Sequence, residues 1–466
     1  MNMRRTLFRI GPVALLLWSI ACSPDSIVGN APLPPDVPDP GSTKTPAGAV
    51  AAYDGTLVRF ATAFGGDLYS AIPASGMLSD ELRATKKGYF GGDEIYMQVD
   101  SRSLPAYSDP LIERTATHPD FYLQTYSTLQ AVRGQASEAR GLLVHYAPDS
   151  LRVLTGHLYA IQGYAEVLLA DLFCSGVPLS TLDFEGDFTL EPGSSTSDVY
   201  RHAVALFDSA LAFAADSARI VGLARVGKGR ALLDLGDFAG AAQAVAEVPD
   251  GFTYYELYPD HEVGDNTGSP AGWAMPNFAA YQSFDAWSYS VADQEGGTGL
   301  DYRGSGDPRT LADSVGTAAN GTIYHPVKYA STGGSPIVLA DWVEARLIEA
   351  EAALQAGDVT TWLAKLNHLR ESAITPALPD TTDPGTPDAR VNLTFRERAF
   401  WLFLTGHRQG DLRRLIRQYG RPQQQVYPIG SYPGLGGSYG SDVTLPIPAK
   451  EWLGNPKFTG CMSRGA

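Results

Sequence analysis

The chain has 466 residues, with 51 acidic against 35 basic side chains and a net charge of −16. That surplus speaks against nucleic acid or an anionic lipid surface as a partner held by charge, and the length allows a real core without covalent staples. Among three cysteines and eight histidines there is neither Cys-x-x-Cys nor HExxH, so the ordinary zinc signatures are missing and no metal or cofactor is expected.

Arg4, Arg5 and Arg9 precede an uncharged apolar run over residues 10–21, IGPVALLLWSIA. Its 12 residues fall short of the roughly 20 that span a bilayer, so residues 1–21 read as a signal peptide. Ser19-Ile20-Ala21-Cys22 then places small residues before a cysteine. This resembles a bacterial lipobox, with Ser19 where Leu is usual, and implies a lipoprotein whose Cys22 carries several acyl chains, palmitate included, enough for durable attachment. Removing the leader with its three arginines takes the charge from −16 to −19. Residues 22–47 hold the Pro-rich stretch NAPLPPDVPDPGSTKTP, which suits an extended tether. Cys174 and Cys461 then remain, either as one disulfide or as two separate thiols.

A single domain is expected over 48–466. Apolar residues at helical spacing predict helices over 49–64, 118–146, 150–174, 197–214, 219–235, 238–247, 340–356 and 360–372. Two junctions look alike: a small-residue helix ends at Gly236-Asp237, another at Gly357-Asp358, and a second helix comes after each. Gly permits a left-handed C-cap and Asp caps the next helix, the pattern of tetratricopeptide-type hairpins. Between them, residues 251–336 are rich in Gly, Ser, Tyr and Trp, and alternation suggests a strand over 323–329. Loop-rich stretches also cover 376–390 and 420–466. A helical scaffold carrying aromatic loops is a binding architecture.

Several lures fail. Gly222-x-x-x-x-Gly227-Lys228 begins like a phosphate-binding loop, but Gly229 replaces the hydroxyl residue and the segment is helical. There is no G-x-S-x-G, and no carboxylate pair declares itself as a glycosidase dyad. No catalytic residue is expected.

Further on, LTFRERAFWLFLTGHRQGDLRR over 393–414 resembles the signature helix of the SusD/RagB family of outer-membrane nutrient-binding lipoproteins, through Glu397, Arg398, Gly406, His407, Arg408, Asp411, Leu412 and Arg414. Trp401 and Thr405 stand where acidic residues are common in that family. Other matches keep the family's order: Val177-Pro178-Leu179, Gly306-Asp307-Pro308-Arg309, Glu344-Ala345 with Asn367 and Arg370, Leu445-Pro446-Ile447-Pro448 and Asn455-Pro456. The resemblance implies a mainly α, tetratricopeptide-like scaffold with long irregular loops and a few short strands. It implies capture of a glycan or peptide nutrient at the cell surface for a TonB-dependent, SusC-like β-barrel transporter, without catalysis or cofactor. Glu397, Arg398, His407, Arg408 and Asp411 read as structural charges, and Phe395, Ala399 and Leu402 as a buried stripe. Ligand contacts are expected among the insert's rings, Trp273, Trp287, Tyr289, Tyr302 and Tyr255 first, because flat rings stack on sugar C–H faces. The competing reading is a tetratricopeptide-type lipoprotein scaffold for envelope assembly; the aromatic insert over 251–336 favours capture.

Overall fold

In a computed structural model, residues 43–66, 69–85, 94–104, 121–258, 289–318, 321–329, 335–433 and 436–466 are described. The proposed signal peptide and Cys22, most of the tether, and Trp273 and Trp287 lie outside them.

Thirteen α-helices occur among the described residues. The domain begins with α1 (Pro46–Phe64), where Thr45 accepts from the Gly48 amide and Pro46 opens the first turn. Next come α2 (Ala71–Leu78), α3 (Glu94–Asp100), α4 (Phe121–Tyr146), α5 (Arg152–Leu172), α6 (Thr196–Phe213), α7 (Ala218–Leu235) and α8 (Phe238–Val245). The C-terminal part holds α9 (Trp342–Gln355), α10 (Val359–Ser372), α11 (Pro387–Trp401), α12 (Arg408–Arg417) and α13 (Ala449–Gly454). Both Gly-Asp junctions act as expected. Gly236 and Gly357 are left-handed at φ 80 and 77, while Asp237 caps Gly240 and Asp358 caps Thr361 through their side chains. The helices α4 to α10 pack as successive neighbours, with α5 buried along nearly its whole length.

Residues 71–78 and 94–100 carry no clear amphipathic period and form helices the sequence did not announce. The first of these is buried all round, so it has no polar face for a period to reveal. The signature segment is two helices rather than one: α11 and α12 are separated by a turn in which Leu404 has φ 53 and Gly406 φ 83. The left-handed Leu404 is held by its amide, which donates to Glu81 Oε1 at 2.9 Å.

The strands are short and pair in twos: β1 (Leu82–Ala84) with β7 (Tyr289–Val291), β2 (Val177–Pro178) with β5 (Gly193–Ser194), β3 (Thr181–Leu182) with β4 (Phe188–Thr189), β6 (Thr253–Glu256) with β10 (Ile337–Asp341), and β8 (Ala312–Ala318) with β9 (Gly321–Pro326). Each pair is antiparallel. The β9 strand ends at Pro326, short of the expected 329.

On β6 the side chains alternate: Tyr254 and Glu256 point inward, Tyr255 outward. His157 links Tyr53 (2.8 Å) and Tyr254 (2.7 Å), and Arg219 lies 4.2 Å over the Tyr254 ring. Glu256 sits in the same interior with Oε1 lacking any hydrogen bond. Burial, partly offset by Arg219, pushes its carboxyl up to about 8. In the unfolded chain it ionises near 4.3, so folding takes up a proton between the two values and stability falls as pH rises through that window. Glu256→Gln keeps the shape and drops the charge. The variant should gain stability over the native chain as pH rises from 5 to 8, by on the order of 1 kcal/mol or more. Urea midpoints at both pH values check this, and an equal difference at both would refute it.

Candidate functional site

The charged residues of the signature segment are buried, apart from the half-buried Arg396, and each has partners. Arg398 forms a two-pronged pair with Asp411 at 2.9 Å on both arms. Asp411 also receives Arg414 at 2.7 Å, and Arg414 reaches Glu351 on α9. On the same helix Glu344 receives Arg230 of α7 at 2.7 Å on both oxygens and lies 3.1 Å from His407 Nε2. Glu397 takes Arg309 (2.7 Å), Arg370 (2.6 Å) and the Trp401 indole N–H (3.1 Å). Trp401 therefore belongs to the network through its indole and lies 4.7 Å beneath Arg309. Thr405 Oγ1 lies 2.9 Å from His407 Nδ1. Burial alone would raise the carboxyls of Glu344 and Asp411. The guanidinium of Arg230, then His407, brings Glu344 down to about 2, and Arg398 with Arg414 holds Asp411 lower still.

This lock reaches the loops through Arg408. Its guanidinium grips Asp80 at 2.6 and 2.9 Å. The other side of Asp80 accepts the Leu300 amide (2.9 Å) and the Tyr302 hydroxyl (3.3 Å). Tyr302 is fully buried, stacked on Phe400 and Phe403 at 5.5 and 5.0 Å. Tyr289 is 2 % exposed, opposite Ala84 in the β1–β7 pair and edge-on to Tyr96. Two of the five rings expected to meet ligand, Tyr289 and Tyr302, are thus core pegs that present no face to solvent, because each sits on a strand or loop docked against helices. Tyr255, 44 % exposed, remains accessible, on the separate β6–β10 pair.

The peg at Tyr302 also fixes the residues after it. The amides of Arg303 and Gly304 donate to Asp293 Oδ1 at 2.9 and 3.0 Å, and Thr310 Oγ1 donates to the Tyr302 carbonyl at 2.6 Å. Arg303 then lies 3.9 Å over the ring of Tyr324 on β9. That strand is tied to the platform twice: the Tyr324 amide donates to Ser290 Oγ at 3.0 Å, and Arg83 Nη2 donates to the Thr322 carbonyl at 2.6 Å. Glu295 accepts from the Tyr439 hydroxyl and feels both Arg83 and Arg303; burial raises its carboxyl.

The result is a loop face: the β1–β7 pair, residues 293–305, the β8–β9 hairpin and the turn carrying Tyr439. It offers a ring, a guanidinium and a carboxyl on a rigid base, the chemistry that reads sugar hydroxyls and faces. The Asp80–Arg408 link was not visible in sequence, since it joins positions 328 apart. The turn Tyr302-Arg303-Gly304-Ser305-Gly306 was the available signal. Among the described residues no cluster of His, Cys, Asp or Glu could hold a metal, and no helix is long and apolar enough to cross a membrane. Cys174 and Cys461 are bridged.

Residues 278–453 match the model of the SusD family. No curated protein matches the chain. Among solved structures, a SusD homolog from Bacteroides thetaiotaomicron superposes with a TM-score of 0.66 at 13 % identity, covering 91 % of this chain and 99 % of that one. A SusD superfamily protein from Bacteroides vulgatus gives 0.64 at 15 %, covering 91 % and 100 %. A SusD-like carbohydrate binding protein from the same species gives 0.61 at 14 %, covering 89 % and 97 %. At such identities the likeness establishes a shared, mainly helical fold.

Proposed function

From this chain's place in the SusD/RagB family, marked by the match over residues 278–453 and by a fold shared along nine-tenths of its length, we propose that the protein is a nutrient-capture lipoprotein. It binds a glycan at the loop face without cleaving it and hands it to a TonB-dependent β-barrel transporter. A lipid on Cys22 holds it at the outer membrane, facing the exterior. The observation that carries the reading is the loop face itself: Arg303 stacked on Tyr324, on loops that Arg408 and Asp80 fix to the helical scaffold. Preorganised rings and polar groups on a rigid base favour binding, since little ordering entropy is lost on capture. A fold shared with a carbohydrate binding protein supports the same ligand class.

Two measurements test this reading. Calorimetry against a panel of neutral and acidic oligosaccharides should give saturable binding, with the glycan recovered intact. Mild-detergent purification from membranes should bring down one large β-barrel protein in stoichiometric amount. The scaffold reading has one observation in its favour, a groove between the two Gly-Asp hairpins lined by Phe238, Ala242, Ala246, Ala353, Ala356 and Lys365. Recovery of assembly proteins without a barrel, and no glycan binding, would decide for it.

A further inference from the structure

Most guanidinium groups around the loop face are engaged. Arg309 is held by Asp307 and Glu397, Arg396 by Asp301, Arg408 by Asp80, and Arg83 donates to a backbone carbonyl. Arg303 differs. Among the described residues its side chain donates no hydrogen bond, its Nε is buried without a partner, and its charge lies over the π-face of Tyr324, with the Glu295 carboxyl feeling it.

The neighbouring carboxylates do not supply what is missing. Asp293 turns Oδ1 to two backbone amides, and Glu295 turns Oε2 to the Tyr439 hydroxyl. A guanidinium held over a ring face spends no N–H on it, and with Nε buried the pair of Nη groups is the fork left to match the two oxygens of a carboxylate or sulfate. The left-handed Gln294 and the double amide grip of Asp293 hold the Arg303 backbone in place before any ligand arrives.

We infer that Arg303 and Tyr324 form an oxyanion subsite, and that the captured glycan carries a carboxylate or sulfate on a sugar bound there. This inference rests on the capture reading and narrows its substrate class. The chain's net charge of −16 does not oppose it at this range, because fields from distant charges are screened within about 8 Å at physiological salt. The ring beside the guanidinium would meet the apolar face of the same or the next sugar.

The test uses the full chain and three probes: an oligogalacturonate, its methyl ester, and a sulfated galactan oligomer. A neutral panel serves as reference. The expected result is binding of an acidic probe that weakens with added salt and is lost on methyl esterification. Arg303→Ala should weaken it about ten- to a hundredfold, Arg303→Lys less, because lysine keeps charge but not the fork. Tyr324→Ala should weaken binding of the acidic probe without restoring the ester. Preference between the uronate and the sulfated probe identifies the source of the oxyanion. Thermal melts of the variants matching the native chain exclude misfolding as the cause. If neutral glycans bind and no acidic probe binds better, or if Arg303→Ala leaves acidic affinity intact, the subsite is wrong while capture stands. If no glycan of either kind binds, the capture reading fails with it.

Discussion

Replacing Asp411 by alanine is expected to destabilise the protein by about 3–5 kcal/mol. The carboxylate is buried between Arg398 and Arg414, each also buried, and its loss leaves the two guanidinium groups with Glu351 and, 3.4 Å from Arg414, Asp234 as their carboxylate partners. A charge stranded in the interior costs more than the pair gained, so the single variant should be far worse than a compensated one. Arg398→Met combined with Asp411→Leu removes charge from both sides and should recover much of the loss. Guanidinium midpoints of the three proteins, at unchanged slope, measure this; a double variant as unstable as the single would show that packing, not stranded charge, sets the cost. The pH dependence has a definite sign. Asp411 ionises below its unfolded value, so its contribution is present above about pH 4 and is lost as pH falls further. The gap between the native chain and Asp411→Asn should therefore be widest near neutrality and narrow below pH 4.

That network explains which parts of the molecule could be read in advance. Local rules act over a few residues. Gly236-Asp237 and Gly357-Asp358 end one helix and cap the next by backbone geometry and one side chain, so both hairpins were legible. The periodic stripe at Phe395, Ala399 and Leu402 is buried as its spacing required. What burial overturns is the assignment of Tyr289 and Tyr302 to ligand. Tyr289 and Tyr302 have the same composition around them as an exposed platform would. Only the docking of their loops on Tyr96, Phe400 and Phe403, distant in sequence, turns them inward. The same non-local step hid the candidate site, because Arg303 becomes an unpaired cation on a ring only when the β8–β9 hairpin folds beside it. Trp401, which stands where the family commonly has an acidic residue, both packs and joins the charges: its ring lies under Arg309 and its N–H donates to Glu397.

Cutting the Cys174–Cys461 bridge should be the second large perturbation, and its effect should be regional. The bridge spans a sequence separation of 287, for which chain entropy alone predicts about 6 kcal/mol and measured bridges give about 2–4. The smaller figure is expected here, since the C-terminal segment is also zipped by backbone pairing. Cys174 N donates to Leu445 O at 3.0 Å, Ser175 N to Ser463 O at 2.9 Å, and Met462 N to Ser175 O at 2.7 Å. In Cys174→Ser/Cys461→Ser those bonds persist but hold the segment without covalent support, so amide exchange should rise over α13 and residues 455–466 before it rises elsewhere. Glycan affinity should survive, because the loop that presents Arg303 is fixed by Asp80 and Arg408 rather than by the bridge. Lost affinity at a temperature where the variant remains folded would mean that the C-terminal segment supports the loop face by a route other than the Asp80–Arg408 link. An unchanged denaturation midpoint would mean that the backbone pairing alone sets the stability of this region.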